Sequence, residues 1–344
     1  MLTGSRAFYP AAALYAALVL PLSVLAVGTL GPQWHAHEML FGFALAVVAG
    51  NQLGTLTGWR LYLILAAWAA ARVAVLIVPD SLLSDGVNIF FASVLALQAA
   101  PRLLGAAKKW RNQALPSTLL ALCASVVAIH LGWNALIPAV LLFALLMLFM
   151  GGRLVAPAVA GQLERQGVRL AARVQPRVEG ALIVAMALAV ASSLFWTAHV
   201  LLGISCVAAG ALATVRLWRW RLWALRGRPD LICLASGYAW LALGLALYGA
   251  GVLAGRHETA ALHFITVGAL GTLTFNVMAL AWLLRARRDP ARSAIVVWGT
   301  VLIAGAVLAR AAGQYVPAAL AWSAAFALLV ALFAVTPRTN RARS

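Results

Sequence analysis

The sequence predicts an all-α polytopic membrane protein, a transmembrane helix bundle of about twelve spans with both termini in the cytoplasm. Three observations lead to this prediction. The 344-residue chain is 64% hydrophobic and 10% charged, with a mean hydropathy of +0.96, which is far from the composition of a soluble domain. Apolar stretches of about 20 residues, the length that crosses a bilayer, recur along the chain. Its basic residues are concentrated in alternate loops.

The predicted spans form one integral membrane domain in three parts. The first six spans occupy residues 1–151, a basic connector occupies 152–178, and the last six spans occupy 179–344. The connector carries Arg165, Arg169 and Arg173 four residues apart, which predicts a short amphipathic helix on the inner leaflet. The twelve predicted spans are residues 8–28, 34–56, 59–78, 84–104, 113–132, 134–151, 179–197, 198–217, 231–254, 259–284, 293–312 and 315–336.

The net charge of +18 is explained by topology rather than by nucleic-acid binding. With a cytoplasmic N-terminus, only Arg72, Arg256 and Arg310 among the 26 lysines and arginines lie toward the outer side. This is the positive-inside pattern, in which basic loops also contact anionic lipid headgroups. The alternating arginines and tryptophans of 216–223 are interpreted as an interfacial anchor. We therefore expect the bilayer as a partner, no nucleic acid, and a bacterial inner membrane location.

The histidines are the residues most indicative of a functional site. All six lie on the outer side or in the outer part of a predicted span. Histidine is a common ligand of metals and of haem iron, so this one-sided distribution predicts a site near the periplasmic face. The alternative for each residue is a hydrogen-bonded packing histidine. The six are His35, His37, His130, His199, His257 and His263.

Helical geometry suggests how two of these histidines would share a haem. At about 100° per residue, His35 and His37 point to nearly opposite sides of a regular helix. His37 and His263 lie at similar depth on two spans that run in the same direction, and Gly42 and Gly268 each follow five residues later. We predict that His37 and His263 are the two axial ligands of a b-type haem.

A second metal is predicted on the remaining outer donors. His35 and Glu38 are three residues apart and share a face of a regular helix; with His130 and His199 they form the candidate metal ligands. Arg72 lies among apolar residues near the outer end of its span. It either extends to the surface, pairs with Glu38, Asp80 or Asp85, or binds a haem propionate.

Several segments resemble one known family. His35-Ala36-His37-Glu38-Met39-Leu40-Phe41-Gly42-Phe43 is similar to the signature of the NnrS family, bacterial membrane proteins that contain haem and copper and are linked to the response to nitric oxide. Gly151-Gly152-Arg153, Gly237-Tyr238-Ala239-Trp240 and the stretch from His263 to Met278 also match. The resemblance extends over nearly the whole chain and implies twelve spans, haem b and copper as cofactors, and nitric oxide or another small ligand.

The chain also departs from the family pattern. Ala235 occupies a position where the family usually has histidine, two residues before Gly237. The segment Ala279–Arg287 replaces the arginine and the Gly-His-Thr-Gly-Arg segment that usually follow the tenth span. The segment after span two is reduced to Thr57-Gly58-Trp59. These differences indicate a divergent member in which one cofactor, most readily the copper, is absent or bound differently.

The predicted function is a role in the response to, or tolerance of, nitric oxide and nitrosative stress, with a respiratory electron-transfer partner. The sequence contains no acid/base dyad, nucleophile elbow or phosphate loop, so no catalytic residue is assigned. Two alternatives stay open: a transporter of small solutes or metal ions, and an assembly factor for a respiratory or denitrification complex.

Overall fold

The computed structural model describes residues 2–19, 21–25, 31–54, 56–170, 173–225, 227–256 and 259–336, apart from the side chain of Trp196. The structure is 85% helical, and the described residues form no strand, so the all-α prediction is confirmed. Twelve helices follow one another in the order of the predicted spans. They are α1 (Gly4–Leu18, followed by the short helix Leu22–Leu25), α2 (Pro32–His37, Glu38–Ala44 and Leu45–Gln52), α3 (Trp59–Ile77), α4 (Leu82–Ala106), α5 (Ala114–His130), α6 (Leu136–Arg165), α7 (Pro176–Ser192), α8 (His199–Arg219), α9 (Pro229–Leu253), α10 (Thr259–His263, Phe264–Gly271 and Thr272–Arg285), α11 (Ala294–Ala311) and α12 (Tyr315–Val335).

Ten of the helices in the described chain are long and apolar enough to cross a membrane. The other two are α7, which has 17 residues, and α2, whose hydropathy is lowered by His35, His37 and Glu38. A multi-pass membrane protein is therefore established. The count of twelve spans and the cytoplasmic termini stay predictions.

Three central helices form the core around which the others pack. The apolar window of α6 is 78% buried, and every residue from His37 to Val47 in α2 is buried. Helix α10 contacts α6, α9 and α11, and α1 contacts both α2 and α12, which closes the bundle. Gly50 of α2 lies against the aromatic ring of Tyr9 in α1. The small residues of α2 thus form a helix-packing groove.

Both α2 and α10 contain a π-helical segment directly after a predicted histidine ligand. In α2 the segment is Glu38–Ala44, and in α10 it is Phe264–Gly271. A π-helical turn holds one more residue than an α-helical turn and is often found at functional sites. It rotates the residues beyond the histidines relative to a regular helix, so face assignments made at 100° per residue do not hold through these segments.

Among the described residues of the connector, the predicted amphipathic helix is not formed as a separate element. Residues 152–165 instead continue α6, which spans 30 residues to Arg165. At 1.5 Å per residue this helix is about 45 Å long, so it extends beyond a hydrocarbon layer of about 30 Å. The chain leaves the helix at Gln166, and Pro176 begins α7.

The two ends of the bundle differ in their polar residues. One end, called here the histidine end, holds His35, His130 and His263, together with the start of α6. The opposite end, called here the arginine end, holds Arg153 in the extended part of α6 and Arg216 near the end of α8. Between Val140 and Gly152 the α6 axis covers about 18 Å, which separates the two regions.

Candidate functional site at the histidine end

The structure joins His37 to His130 in a chain of polar side chains. The Nε2 atoms of the two rings are 3.0 Å apart. Nδ1 of His130 lies 2.7 Å from Oδ1 of Asp85, and Nδ1 of His37 lies 2.7 Å from Oε1 of Glu38. The chain begins at the half-exposed carboxylate of Asp85 and ends at Glu38, which is fully buried. It therefore leads from the surface into the membrane core.

Glu38 is the centre of a buried ionic cluster. Its carboxylate accepts hydrogen bonds from Nη1 of Arg72 and from the hydroxyl of Tyr15. Nη2 of Arg72 donates to the amide oxygen of Asn88, which is itself fixed by a hydrogen bond to the carbonyl of Ser84. A buried charge needs a partner of opposite sign. Among the predicted alternatives for Arg72, the structure thus forms the ion pair with Glu38.

His35 and His263 lie together on the wall of a separate cavity. This cavity has a volume of about 690 Å³ and is bounded by α2, α6, α10, α11 and α12, within the range of about 300–1,000 Å³ that is common for small-molecule sites. Its walls are mostly apolar, with Met39 and Val140 among the lining residues. A smaller cavity of about 70 Å³ is also lined by His35 and His263.

Each of these two histidines is oriented through its Nδ1 atom. Nδ1 of His263 donates to the carbonyl oxygen of Thr259 at 2.6 Å, and Nδ1 of His35 lies 2.7 Å from the hydroxyl oxygen of Ser23. The carbonyl partner places a proton on Nδ1 of His263 and leaves its Nε2 free to bind a metal, whereas the Ser23 hydroxyl can either donate to Nδ1 of His35 or accept from it. Nε2 has no hydrogen-bond partner in either ring within the described part of the chain.

Arg310 completes the polar part of the cavity wall. It lines both cavities with the two histidines, and its guanidinium stacks 4.5 Å from the ring centre of Tyr315. No carboxylate of the described residues lies within ion-pair distance of it. Within the described residues, the wall therefore offers two free imidazole nitrogens and a cation without a counterion.

The predicted ligand residues are thus paired differently in the structure than the sequence predicted. His37 is paired with His130, and His263 lies with His35, so the structure does not bring His37 and His263 together. The prediction that His35 and His37 point apart agrees with this arrangement. His35 and Glu38 do not share a site either, because Glu38 turns toward α1 and α3. His199 is exposed at the start of α8 and lines neither cavity. His257 lies outside the described residues.

Three residues of this region were not identified from the sequence. Arg310 was noted only as one of the outer basic residues, Asp85 only as a possible partner of Arg72, and Tyr15 not at all. The usable signal was the rarity of ionisable residues within spans, which makes each one a site candidate. Tyr15 gave no such signal, because a neutral tyrosine within a span is not one of these rare residues.

Taken together, fold and site define a polytopic helical membrane protein with a histidine-lined cavity at one end of its bundle. A family model described as NnrS protein matches residues 1–341. The chain belongs to the NnrS family. Searches of curated proteins and of solved structures gave no match.

Proposed function

We propose that this protein is a haem-containing member of the nitric oxide response, and that the haem occupies the cavity between His35 and His263. Family membership supports the link to nitric oxide. The observation that carries the haem assignment is the pair of histidines, each with Nδ1 hydrogen-bonded and Nε2 free, on the wall of one apolar cavity of about 690 Å³.

The residues that line the cavity fit a b-type haem. Nε2 of His35 and of His263 would hold the iron, and the guanidinium of Arg310 would bind a propionate as a charge-assisted hydrogen-bond donor. The apolar residues between them would surround the macrocycle. A bound haem supplies one-electron chemistry and binding of diatomic ligands. The Thr259 carbonyl would keep the His263 ring in the ligating tautomer, and the Ser23 hydroxyl would hold the orientation of the His35 ring.

This ligand pair replaces the predicted pair His37 and His263. His37 is a weaker candidate because both of its ring nitrogens already have partners, Glu38 and His130. An axial role for His37 would break its contact with His130, and the His130 ring would keep only Asp85 as a partner. His35 has no such commitment at Nε2 and lies beside His263.

The donors that remain do not fit a copper ion. Among the described residues, no group of three or more His, Cys, Asp or Glu side chains is placed to hold a metal. The Nε2 atoms of His37 and His130 would supply two donors at most, and the Nδ1 atom of each ring already contacts a carboxylate. We therefore propose haem as the resident cofactor and derive no role for copper.

The proposed cellular location follows from charge. With the arginine end on the cytoplasmic side of a bacterial inner membrane, the positive-inside rule is satisfied, and the haem cavity faces the periplasm. Nitric oxide would reach the cavity from the bilayer or the periplasm, and a respiratory electron-transfer partner would dock at the histidine end.

The test is the optical spectrum of protein purified from haem-replete cells. We expect a Soret band in the wild type, and loss of bound haem or a shift of the band in His35→Ala and His263→Ala. The matched variant His37→Ala should keep the wild-type band position, because His37 lies outside the cavity. A colourless wild type would contradict the proposed function. A spectrum altered by His37→Ala but not by His35→Ala would support the sequence-predicted pair instead.

A further inference from the structure

Arg216 is a buried cation that has no acidic partner among the described residues. Arg72 and Arg216 are the two arginines of the described chain whose side chains are 4% exposed. Arg72 pairs with Glu38, whereas Arg216 donates a single hydrogen bond, from Nη1 to the carbonyl oxygen of Leu148 at 3.0 Å. Its Nε has no partner within the described residues. A buried charge left uncompensated is unfavourable.

Two aromatic side chains with free polar groups accompany Arg216. The ring of Trp220 lies 5.6 Å from the guanidinium carbon and 4.8 Å from the ring of Tyr238. Tyr238 and Arg216 approach adjacent positions of α6, Gly151 and Gly152. Both aromatic residues are fully buried, and neither Nε1 of Trp220 nor the Tyr238 hydroxyl has a hydrogen-bond partner among the described residues. The three free groups are all hydrogen-bond donors.

The excess of positive charge around Arg216 also favours binding of an anion. The nearby carboxylate, Glu179, is already shared by Nη1 of Arg111 and Nη1 of Arg153, each at 2.6 Å. Three guanidinium groups therefore stand against one carboxylate, which leaves two positive charges in this part of the arginine end. Each unsatisfied donor and each unpaired charge is stabilised by an anion placed among them.

The backbone of α6 forms one wall of this cluster. A side-chain carbon at Gly152 would overlap the guanidinium of Arg216, and one at Gly151 would overlap the ring of Tyr238. These close approaches require glycine and keep the space beside α6 small. A ligand here is therefore limited to a few atoms, unlike the occupant of the haem cavity at the histidine end.

We infer that Arg216, Trp220 and Tyr238 bind a small inorganic monoanion, of the size of chloride or nitrite, at the arginine end of the bundle. The anion accepts hydrogen bonds from the tyrosine hydroxyl, the indole N–H and the guanidinium, and it balances the charge of Arg216. The site is independent of the proposed haem, because its three donors lie outside the helices that carry His35, His263 and Arg310, at the opposite end of the bundle.

The test is a thermal unfolding titration of the full-length protein in detergent. Sodium chloride or sodium nitrite replaces sodium gluconate at constant ionic strength, so that general screening is unchanged. We expect a saturable rise of the unfolding temperature with at least one of the two anions, since a ligand that binds only the folded state stabilises it by mass action. The salt that acts identifies the anion. Ion chromatography of the desalted, denatured protein detects an anion that remains bound through purification.

Two variants remove single donors and keep the aromatic packing. In Tyr238→Phe and in Trp220→Phe we expect the anion to bind at least about tenfold more weakly, as for one lost hydrogen bond to a charged group. Tyr248→Phe, at a buried tyrosine on the same helix, is the matched control and should titrate as the wild type does. If one donor variant does not fold, the other decides.

Three results would overturn the inference. The first is the absence of both a saturable anion effect and a retained anion in the wild type. The second is an unchanged titration in the donor variants. The third is stabilisation by inorganic phosphate or by vesicles containing phosphatidylglycerol, but not by chloride or nitrite, which would assign the cluster to a lipid headgroup.

Discussion

Replacing Arg72 with methionine tests the buried cluster that fixes the histidine end. Methionine keeps much of the volume and removes the charge. The Glu38 carboxylate would then keep Tyr15 and His37 as hydrogen-bond partners and lose its cation. Asn88 would also lose the donor that Nη2 of Arg72 provides. Both groups are buried, so water cannot replace the lost contacts without disrupting the packing.

The structure indicates how large the effect should be. Removing one partner of a buried ion pair costs about 3–5 kcal/mol, whereas replacing the whole pair by neutral groups is often close to neutral. Because two donors to Glu38 remain, we expect about 3 kcal/mol for Arg72→Met, at the low end of that range. The double variant that adds Glu38→Gln should recover about 1–3 kcal/mol of this loss, as expected for residues in direct contact.

Unfolding free energies from SDS titrations in mixed micelles measure these effects for the wild type, both single variants and the double variant. Arg60→Met, at an exposed arginine on the same helix, is the control and should change stability by about 0.5 kcal/mol or less. A double variant no more stable than Arg72→Met, with a coupling energy near zero, would refute the ion pair as the reason for the loss.

Three further predictions concern other contacts. Gly152→Ala should cost about 1–3 kcal/mol through overlap with Arg216, while Gly161→Ala, which meets no atom within 4 Å, should be neutral or stabilising by up to about 1 kcal/mol; equal unfolding free energies would contradict the described packing. His130→Gln should lower stability by about 1–3 kcal/mol and leave the Soret band in place, whereas a shifted band would locate the iron at this ring. Arg310→Gln should lower haem content and the midpoint potential in a redox titration, because loss of a nearby positive charge favours the oxidised iron; unchanged values would remove Arg310 from the haem site.

The sequence predicted which histidines belong to the candidate site but not which of them lie together. Helical geometry separated His35 from His37, since side chains two residues apart on a regular helix differ in direction by about 200°. The pairing of His37 with His263 relied on equal depth and on regular helices. The π-helical segments after both histidines alter the direction of the following residues, and no sequence rule locates such segments.

The arginine end shows a similar limit. Arg216 and Trp220 belong to an alternating basic and aromatic run that predicts an interfacial anchor, and the exposed rings of Trp218 and Trp223 agree with that prediction. Trp220 and Arg216 are buried instead, because Gly151 and Gly152 of α6 leave room for them and for Tyr238. Only helix–helix contacts distinguish the exposed residues of this run from the buried ones.

By itself, the sequence determined the all-α membrane fold, the helix order and the family, because hydropathy, span length and local motifs are properties of consecutive residues. It also indicated the candidate site, since ionisable residues within apolar spans are costly and therefore rare. The tertiary structure decided which histidines meet, that Arg72 neutralises Glu38, and that Arg216 is buried without an acidic partner. These contacts depend on how helices distant in the chain are rotated and packed, and on a π-helical turn in two of them, which local sequence does not encode.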